Sequence, residues 1–488
     1  MNRFSLPAWL LAAAASFSNP TSTQAQDWPQ WRGPDRGAKA AGFQAPQTWP
    51  KALNQKWKVT VGEGVATPAL VGDRLYVFTR ENGTEVLRCL NAADGKELWR
   101  DSYDSLGATG PAQGFSGPRS SPAVAEGKVV TVGVRGMISL VDAATGKVLW
   151  RKDDFKAYPN FFPSSSPLIL QGLAIAQLGG RGNGAVVAYD LTTGAEKWKW
   201  NGPSPSYASP VVLSVGSSHY VVAQTESKLV AVDAATGRLA WESEAGGGGP
   251  DGPGGQGRGG GGGGGRGGNR DYKAATPIVD GSTLILAGRS IRAWKMEKSG
   301  DQLAARDLWN NEEKSVQFNT PTLKNGLLFG LSGANELFCV RAKDGTTAWT
   351  APFPSNATPP SDSARPAAQR RSFNPNASVA GQIVAQADPG RPGGGQGRPD
   401  GPGGGRRGGG FGGGGGGRSG YGNIIDAGPA LLAITPAGDL VVFEPSDVGL
   451  KVLASYKVSD GQTHAYPVLS GKRIFIKDAN DLTLWSVD

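Results

Sequence analysis

Short runs of apolar residues alternate with glycine-containing turns along most of the chain. The stretch 120–150, SSPAVAEGKVVTVGVRGMISLVDAATGKVLW, divides into the runs PAVA, KVVTVG, MISLVDA and VLW, which are separated by Glu-Gly, Arg-Gly and Thr-Gly. Short runs rich in Val and Ile and bounded by such turns are typical of β-strands. Residues 120–150 are therefore predicted to form one unit of four strands.

The start of this unit recurs along the chain. Because proline lacks an N–H and has a fixed φ, it is best tolerated at the first position of a strand. A residue followed by proline opens seven units, and residues 421–428, YGNIIDAG, open an eighth without proline. The seven pairs are Thr67-Pro68, Ser121-Pro122, Ser166-Pro167, Ser209-Pro210, Thr276-Pro277, Thr320-Pro321 and Tyr466-Pro467. Eight four-stranded units of about 40 to 45 residues predict an all-β fold, an eight-bladed β-propeller.

The two ends of the chain predict how this propeller closes. The last unit, residues 466–488, contains only three strand-like runs, while NQKWKV at residues 54–59 precedes the first unit. We expect this N-terminal strand to complete the last blade, because doing so removes an exposed sheet edge. The propeller is thus predicted to span residues 53–488, and residues 26–52, here called the strap, precede it.

A second pattern places Asp or Asn, then Gly, then Trp near the end of many units, as in LVDAATGKVLW at residues 140–150. The Asp side chain can accept hydrogen bonds from the N–H groups of a turn, and Gly tolerates a positive φ. The Trp ring is expected to pack on the adjacent blade. The residues predicted in this structural role are Trp57, Trp99, Trp150, Trp198, Trp241, Trp309 and Trp349.

Two glycine- and arginine-rich tracts interrupt the repeat, at about residues 246–270 and 351–420. They fall between units and are predicted to be flexible inserts. Residues 246–270 and 361–420 together account for seven of the nine net positive charges of the chain. The remaining sequence is close to neutral, so the broad basic face of a nucleic-acid-binding protein is not expected.

The N-terminus and the cysteines predict the compartment. Residues 1–25 contain Arg3, an apolar stretch and the small residues Thr23 and Ala25, which is typical of a secretory signal peptide and too short for a membrane span. We therefore expect a protein exported to the periplasm or beyond. Cys89 and Cys339 occupy equivalent positions of separate units, so they are predicted to remain unpaired thiols.

The repeated Asp, Gly and Trp pattern resembles the tryptophan-docking repeat of the pyrroloquinoline-quinone (PQQ) propeller superfamily, over residues 53–488. DWPQWRGPDRGAKA, residues 27–40, is similar to the N-terminal stretch of secreted members of that superfamily. The resemblance implies one of two activities. Quinoprotein dehydrogenases oxidise alcohols or sugars with PQQ and calcium, whereas BamB-like propellers bind protein partners in outer-membrane protein assembly and use no cofactor.

The motifs that would support a dehydrogenase are not found. The resemblance would require a vicinal Cys-Cys pair for alcohol oxidation and a calcium site of Glu, Asn and Asp, and the sequence has no Cys-Cys pair and no local motif for the calcium ligands. Neither a haem-attachment motif nor a catalytic triad motif is present. We therefore predict no catalytic residue, no metal ligand and no cofactor. Because sugar-oxidising relatives can lack the Cys pair, a PQQ-dependent dehydrogenase remains the alternative.

Aromatic and polar residues recur just before the unit starts, where the connections between blades reach the mouth of the channel. The residues proposed to form a ligand-binding funnel there are Phe115, Arg119, Phe161, Phe162, Tyr207, Tyr272, Lys273, Phe318, Asn319, Tyr421, His464 and Tyr466. Aromatic faces suit an extended peptide or a glycan. The competing interpretation is that these rings only pack on neighbouring blades.

The sequence therefore predicts an exported, monomeric propeller that acts as a binding or assembly scaffold without catalysis. Its expected partner is a protein, peptide or glycan of the cell envelope, and nucleic acid is not expected as a ligand.

Overall fold

Eight four-stranded antiparallel sheets form the blades of a β-propeller in the computed structural model, which describes residues 27–244, 273–354 and 420–488. The prediction of an all-β, eight-bladed propeller is confirmed. The predicted signal peptide lies outside the described residues, as do Tyr272 and nearly all of the two glycine-rich tracts. In the described ranges the only helix is a short 3-10 turn, Gly110–Ala112, and no helix is long and apolar enough to cross a membrane.

Each of the first seven blades is built from four consecutive strands. Blade 1 contains β2 (Ala69–Val71), β3 (Arg74–Glu81), β4 (Thr84–Asn91) and β5 (Glu97–Asp104). Blade 2 contains β6 (Ala123–Ala125), β7 (Lys128–Val132), β8 (Ile138–Asp142) and β9 (Val148–Lys152). Blade 3 contains β10 (Leu168–Leu170), β11 (Leu173–Leu178), β12 (Gly184–Asp190) and β13 (Glu196–Gly202), and blade 4 contains β14 (Val211–Val215), β15 (Ser218–Gln224), β16 (Lys228–Asp233) and β17 (Leu239–Glu244). Blade 5 contains β18 (Ile278–Asp280), β19 (Thr283–Ala287), β20 (Ile291–Ser299) and β21 (Gln302–Asn311). Blade 6 contains β22 (Thr322–Lys324), β23 (Leu327–Leu331), β24 (Glu336–Arg341) and β25 (Thr347–Pro352). Blade 7 contains β26 (Asn423–Asp426), β27 (Leu431–Ile434), β28 (Asp439–Phe443) and β29 (Val452–Lys457).

Blade 8 is assembled from both ends of the chain, as predicted. It contains β30 (Val468–Ser470), β31 (Arg473–Lys477), β32 (Asp481–Ser486) and, as its outermost strand, β1 (Asn54–Thr60). Strands β1 and β32 are antiparallel, and Trp57 lies opposite Leu484. The pairing leaves β32 with a neighbour on both sides, which removes an open edge.

The repeated Trp residues link neighbouring blades. The indole Nε1 of Trp99, in blade 1, donates to the carbonyl oxygen of Ala143 in blade 2 at 3.2 Å, and the ring lies against the turn glycine of that blade. A Cβ atom at Gly146, where φ is +76°, would come within 2.6 Å of the Trp99 ring. Equivalent indole hydrogen bonds reach the next blade from Trp57, Trp150, Trp198, Trp309 and Trp349. Most of these rings are half-buried, and only Trp198 is fully buried.

Trp241 has a different partner because the fifth blade lacks the Asp–Gly turn. Strands β20 and β21 are long and meet in a tight hairpin at Gly300 and Asp301. The Trp241 ring packs edge-on against Trp294 at 6.3 Å instead. The interaction between blades is therefore kept, but its geometry follows the local hairpin.

The cores of the propeller lie between successive blades. Cys89 belongs to the cluster that joins blades 1 and 2, and Cys339 to the one that joins blades 6 and 7. Both are buried free thiols, as predicted, and burial raises the pKa of Cys89 to about 11.

Candidate functional site

Six hydroxyl groups form a ring around the channel at the starts of the innermost strands. We call them the collar: Thr67, Ser121, Ser166, Ser209, Thr276 and Thr320. The backbone N–H of each of the first five donates to the hydroxyl of the next member at 2.9 Å. The N–H of Tyr466 donates to Thr67 at 3.0 Å, which extends the ring to blade 8. The sequence indicated these positions as strand starts, but it did not indicate that each side-chain hydroxyl accepts from the backbone N–H of a neighbouring blade.

Two arginines of the strap fill the channel inside the collar. Arg32 and Arg36 are only 1% and 6% exposed. Arg32 donates to the carbonyl oxygens of Thr320 and Pro321, each at 3.0 Å, and to the hydroxyl of Tyr466. A buried cation is tolerated where its N–H groups are bonded, and here three carbonyl oxygens and the Tyr466 hydroxyl together accept from all three nitrogens of the guanidinium.

Arg36 makes the corresponding contacts on the opposite part of the ring. It donates to the carbonyl oxygens of Ser166 at 3.1 Å and Pro210 at 2.8 Å, and also to that of Pro167. The two arginines thus reach blades 3, 4, 6 and 8.

The backbone of the strap binds further blades. The N–H and C=O of Trp28 bond to Leu70 in blade 1, and Val124 in blade 2 donates to the carbonyl oxygen of Pro29. Ala40 donates to Asp426 in blade 7, and Gln44 donates to Gly471 in blade 8. The strap therefore contacts seven of the eight blades in the described structure, a role that its sequence did not predict.

Four of the predicted funnel residues meet at the mouth, and we call them the aromatic belt: Phe115, Phe318, Tyr421 and His464. Phe318 and Tyr421 are stacked with ring centroids 4.0 Å apart. His464 lies edge-on between Tyr421, at 5.1 Å, and Phe115, at 4.9 Å. Each ring comes from a different connection between blades, so the fold brings together residues that are distant in sequence.

Arg119 lies beside this belt. Its Nη2 donates to the carbonyl oxygens of Ala112 at 3.0 Å and Phe115 at 2.7 Å, whereas its buried Nη1 has no hydrogen-bond partner among the described residues. Burial lowers the pKa of Arg119 to about 10, and the nearby hydroxyls of Tyr421 and Tyr207 oppose this shift. Unlike Arg32, this guanidinium has hydrogen-bonding capacity left for another group.

Three of the predicted funnel residues lie inside the fold instead of facing the mouth. Tyr466 is 3% exposed, and its hydroxyl accepts from Arg32. The buried Asn319 side chain donates to the carbonyl oxygens of Leu331 and Gly420, and the buried Phe162 ring stacks on Tyr158 at 6.0 Å. Their position before a strand was predictable from the sequence, but the direction of each side chain was not. These three residues are therefore not part of the candidate site.

The other predicted residues line a separate cavity, which we call the rim cavity, of about 270 Å³ beside the connections of blades 3 and 4. Phe161, Tyr207 and Lys273 were indicated by the sequence, whereas Tyr158, Arg181 and Glu226 were not. Arg181 and Glu226 lie in turns between the second and third strands of their blades. These turns reach the same face as the connections between blades. The glycine-rich sequence GGRGNG at 179–184 was an available signal for Arg181, whereas the turn of Glu226 has no such signal.

Within the described ranges no three His, Cys, Asp or Glu side chains are grouped so that they could hold a metal ion. Burial raises the pKa of the Glu85 carboxyl, but Glu85 accepts hydrogen bonds from Tyr103 and from the N–H of Val134, and so links blades 1 and 2. We therefore derive no chemical step from these residues.

Comparison with known proteins identified two kinds of relative. The family profile described as outer membrane protein assembly factor BamB matches residues 45–212 and 83–351, which together cover more than half of the chain. A quinohemoprotein alcohol dehydrogenase of Comamonas testosteroni is 29% identical in the matched region, which covers 28% of this chain and 19% of the dehydrogenase. The outer membrane protein assembly factor BamB of Xanthomonas campestris is 32% identical in the matched region, which covers 22% of this chain and 27% of the Xanthomonas protein. The matched part is thus less than a third of each of these relatives.

Solved structures are similar at the level of the fold. The crystal structure of BamB from Moraxella catarrhalis superimposes with a TM-score of 0.52 and 12% identity, and the match covers 89% of this chain and 98% of that one.

Proposed function

Because the chain belongs to the family described as outer membrane protein assembly factor BamB, we propose that it is a binding scaffold of the cell envelope without catalytic activity. The aromatic belt carries this proposal. Four rings from four connections between blades lie in contact at the mouth, beside the incompletely bonded Arg119. Aromatic clusters next to an arginine are typical of the energetic centres of protein interfaces.

The side chains that fill the channel below the belt favour binding at the surface of the protein and do not favour a reaction inside the channel. Arg32 and Arg36 occupy the interior and are bonded to carbonyl oxygens around it. A partner is therefore expected to bind across the mouth without entering the channel.

We also propose export to the envelope. The signal-peptide pattern of residues 1–25 and the name of the relatives' family both support it. The mass of the protein recovered from an envelope fraction tests this proposal, since cleavage after Ala25 leaves a chain that begins at Gln26.

The binding surface is tested with the exported chain and the partner that copurifies with it. The double variant Phe318→Ala, Tyr421→Ala should weaken that complex about thirtyfold or more, because large contact rings at interface centres often contribute 2 kcal/mol or more. The control is Leu453→Ala, an exposed side chain on the outer strand β29. A complex that the double variant leaves at wild-type affinity, with an unchanged unfolding midpoint, would overturn the proposal.

A PQQ-dependent dehydrogenase is the second candidate, and the match to the Comamonas enzyme favours it. Purified protein supplied with PQQ and calcium should not reduce a dye in the presence of alcohols or sugars. Dye turnover that depends on both additions would replace the scaffold proposal with this one.

A further inference from the structure

The rim cavity has a rigid frame. The N–H of Phe161 donates to the hydroxyl of Tyr207 at 3.2 Å, and the two rings lie edge-on at 5.8 Å. The hydroxyl of Ser164 donates to the carbonyl oxygen of Tyr207 at 3.0 Å. On the other side, the N–H of Glu226 donates to the carbonyl oxygen of Ser204 at 2.8 Å. The walls are therefore held by the protein itself, which lowers the entropy lost when a ligand binds.

The charged groups that the structure describes around the cavity are mostly positive. Among the described lining residues, Arg181 and Lys273 outnumber Glu226, the one acidic member. Arg181 lies at the tip of a turn in which Gly179 and Gly182 have φ of +89° and +87°, and the N–H of Gly180 donates to Asn183 at 3.0 Å. The exposed Arg181 side chain makes no hydrogen bond or ion pair with the rest of the described chain. The turn thus positions the Arg181 side chain, but the described fold does not depend on a bond to it.

The lining combines ring faces with polar groups. Tyr158, Phe161 and Tyr207 supply aromatic surface, while Asn160, Ser204 and Ser206 supply hydrogen-bonding atoms. An apolar ligand would remove water from the exposed Asn160 and Arg181 side chains without replacing its hydrogen bonds, which costs free energy. The C–H face and hydroxyl edge of a sugar ring match both kinds of surface. The volume of about 270 Å³ lies just below the range of cavities for drug-sized ligands, so it suits a single ring.

From these observations we propose that the rim cavity binds an acidic sugar, with one ring against the aromatic walls and its carboxylate on Arg181. Guanidinium groups bind carboxylates through two parallel hydrogen bonds, and Lys273 adds a second positive charge. This site goes beyond the proposed scaffold function, because its lining includes none of the four residues of the aromatic belt.

The test uses two probes that differ only at the carboxyl groups, trigalacturonate and its uncharged methyl ester, added to the full exported chain. By calorimetry, trigalacturonate should bind at least about tenfold more tightly than the ester, and increased salt should reduce this preference. Glucuronate monomer is the third probe. Binding of the monomer as tight as that of the trimer would assign the site to a free sugar acid, whereas tighter trimer binding would assign it to a glycan chain.

Variants locate the binding. Arg181→Gln should weaken trigalacturonate about tenfold and leave the ester unchanged, while Arg238→Gln, a cation of an outer turn, should alter neither. Tyr207→Phe keeps the ring but removes the hydroxyl that accepts from Phe161, so it should bind more weakly than wild type and more tightly than Tyr207→Ala. An unchanged unfolding midpoint for both variants separates loss of binding from loss of folding.

Three results would overturn the proposal: equal affinity for the acid and the ester, no binding of either, or an acidic peptide that binds where the sugars do not. The scaffold proposal fails separately. The double variant Phe318→Ala, Tyr421→Ala should bind trigalacturonate normally, and Arg181→Gln should bind the protein partner normally.

Discussion

Blades 1 to 6 and the seam between blades 7 and 8 are joined by different parts of the sequence. In the first six blades, a collar hydroxyl and a Trp contact link each blade to a neighbour. Blade 7 has neither, since Gly422 and Asn423 replace the hydroxyl residue and the proline that open other blades, and Ala454 occupies the Trp position in β29.

The seam has substitutes for both links. The side-chain amide of Asn423 donates to the carbonyl oxygens of His464 and Ala465, at 2.9 and 3.1 Å. The strap adds Trp49, whose ring lies 6.4 Å from that of Tyr456, and the Tyr456 hydroxyl donates to Pro50 at 2.7 Å. At the seam between blades 7 and 8, the strap thus provides contacts of the kind that the repeated residues provide between the other blades.

Removal of Arg36 should therefore produce the largest loss of stability. Arg36→Met keeps an apolar stem but leaves the carbonyl oxygens of Ser166, Pro167 and Pro210 without this donor. We expect the free energy of unfolding to fall by about 4 kcal/mol. Urea titration measures it, and Arg238→Met on an outer turn should change it by about 0.5 kcal/mol or less. A wild-type midpoint for Arg36→Met would show that the strap does not hold the ring.

Contacts of the repeat are tested at Gly146. Gly146→Ala forces Cβ to within 2.6 Å of the Trp99 ring at a φ of +76°. We expect a loss of about 3 kcal/mol, from backbone strain together with crowding. Gly127→Ala is the matched control, because Gly127 has a φ of +69° but nothing within 4 Å of the added Cβ. It should cost about 1 kcal/mol, and equal losses for the two variants would remove the Trp contact from the explanation.

The repeat and the strap also differ in how far the sequence predicted them. The fold was predictable because Pro, Gly and Trp recur with one period, so each unit confirms the others. Arg32 and Arg36 occur once, and nothing local indicates that two arginines in RGPDR are buried. The belt was partly predictable, since position before a strand identified Phe318 and Tyr421. Tyr466 occupies the same kind of position but points into the channel, a difference that depends on the strap.

Lys477 tests a third kind of contact, at the junction of blade 8 with blade 1. Its ammonium group donates to the carbonyl oxygens of Gly62 at 3.3 Å and Gly64 at 3.1 Å, and burial lowers its pKa to about 8 from 10.5. Between pH 8 and 10.5 the unfolded chain therefore binds more protons at this residue than the folded chain does. The contribution of Lys477 to stability should rise with pH across that window, by about 3 kcal/mol.

The measurement is the difference in unfolding free energy between wild type and Lys477→Met at several pH values, which cancels the titration of other groups. Lys96→Met, at an exposed turn, is the control for replacing a lysine by methionine on the surface. A constant difference for Lys477→Met would mean that the ammonium is not desolvated at the junction.

The smallest expected effect concerns a single hydroxyl of the collar. Ser121→Ala removes the acceptor for the N–H of Thr67, and this buried donor is then left without a partner. Because an unpaired buried N–H costs more than the net gain from one hydrogen bond, we expect a loss of about 1 kcal/mol. The adjacent Ser120 is an internal control, since its buried hydroxyl has no hydrogen-bond partner in the described structure. Ser120→Ala should thus leave stability unchanged or raise it slightly. If both variants lose the same amount, the collar hydroxyls contribute only packing, and the first six blades depend on their Trp contacts and on the strap.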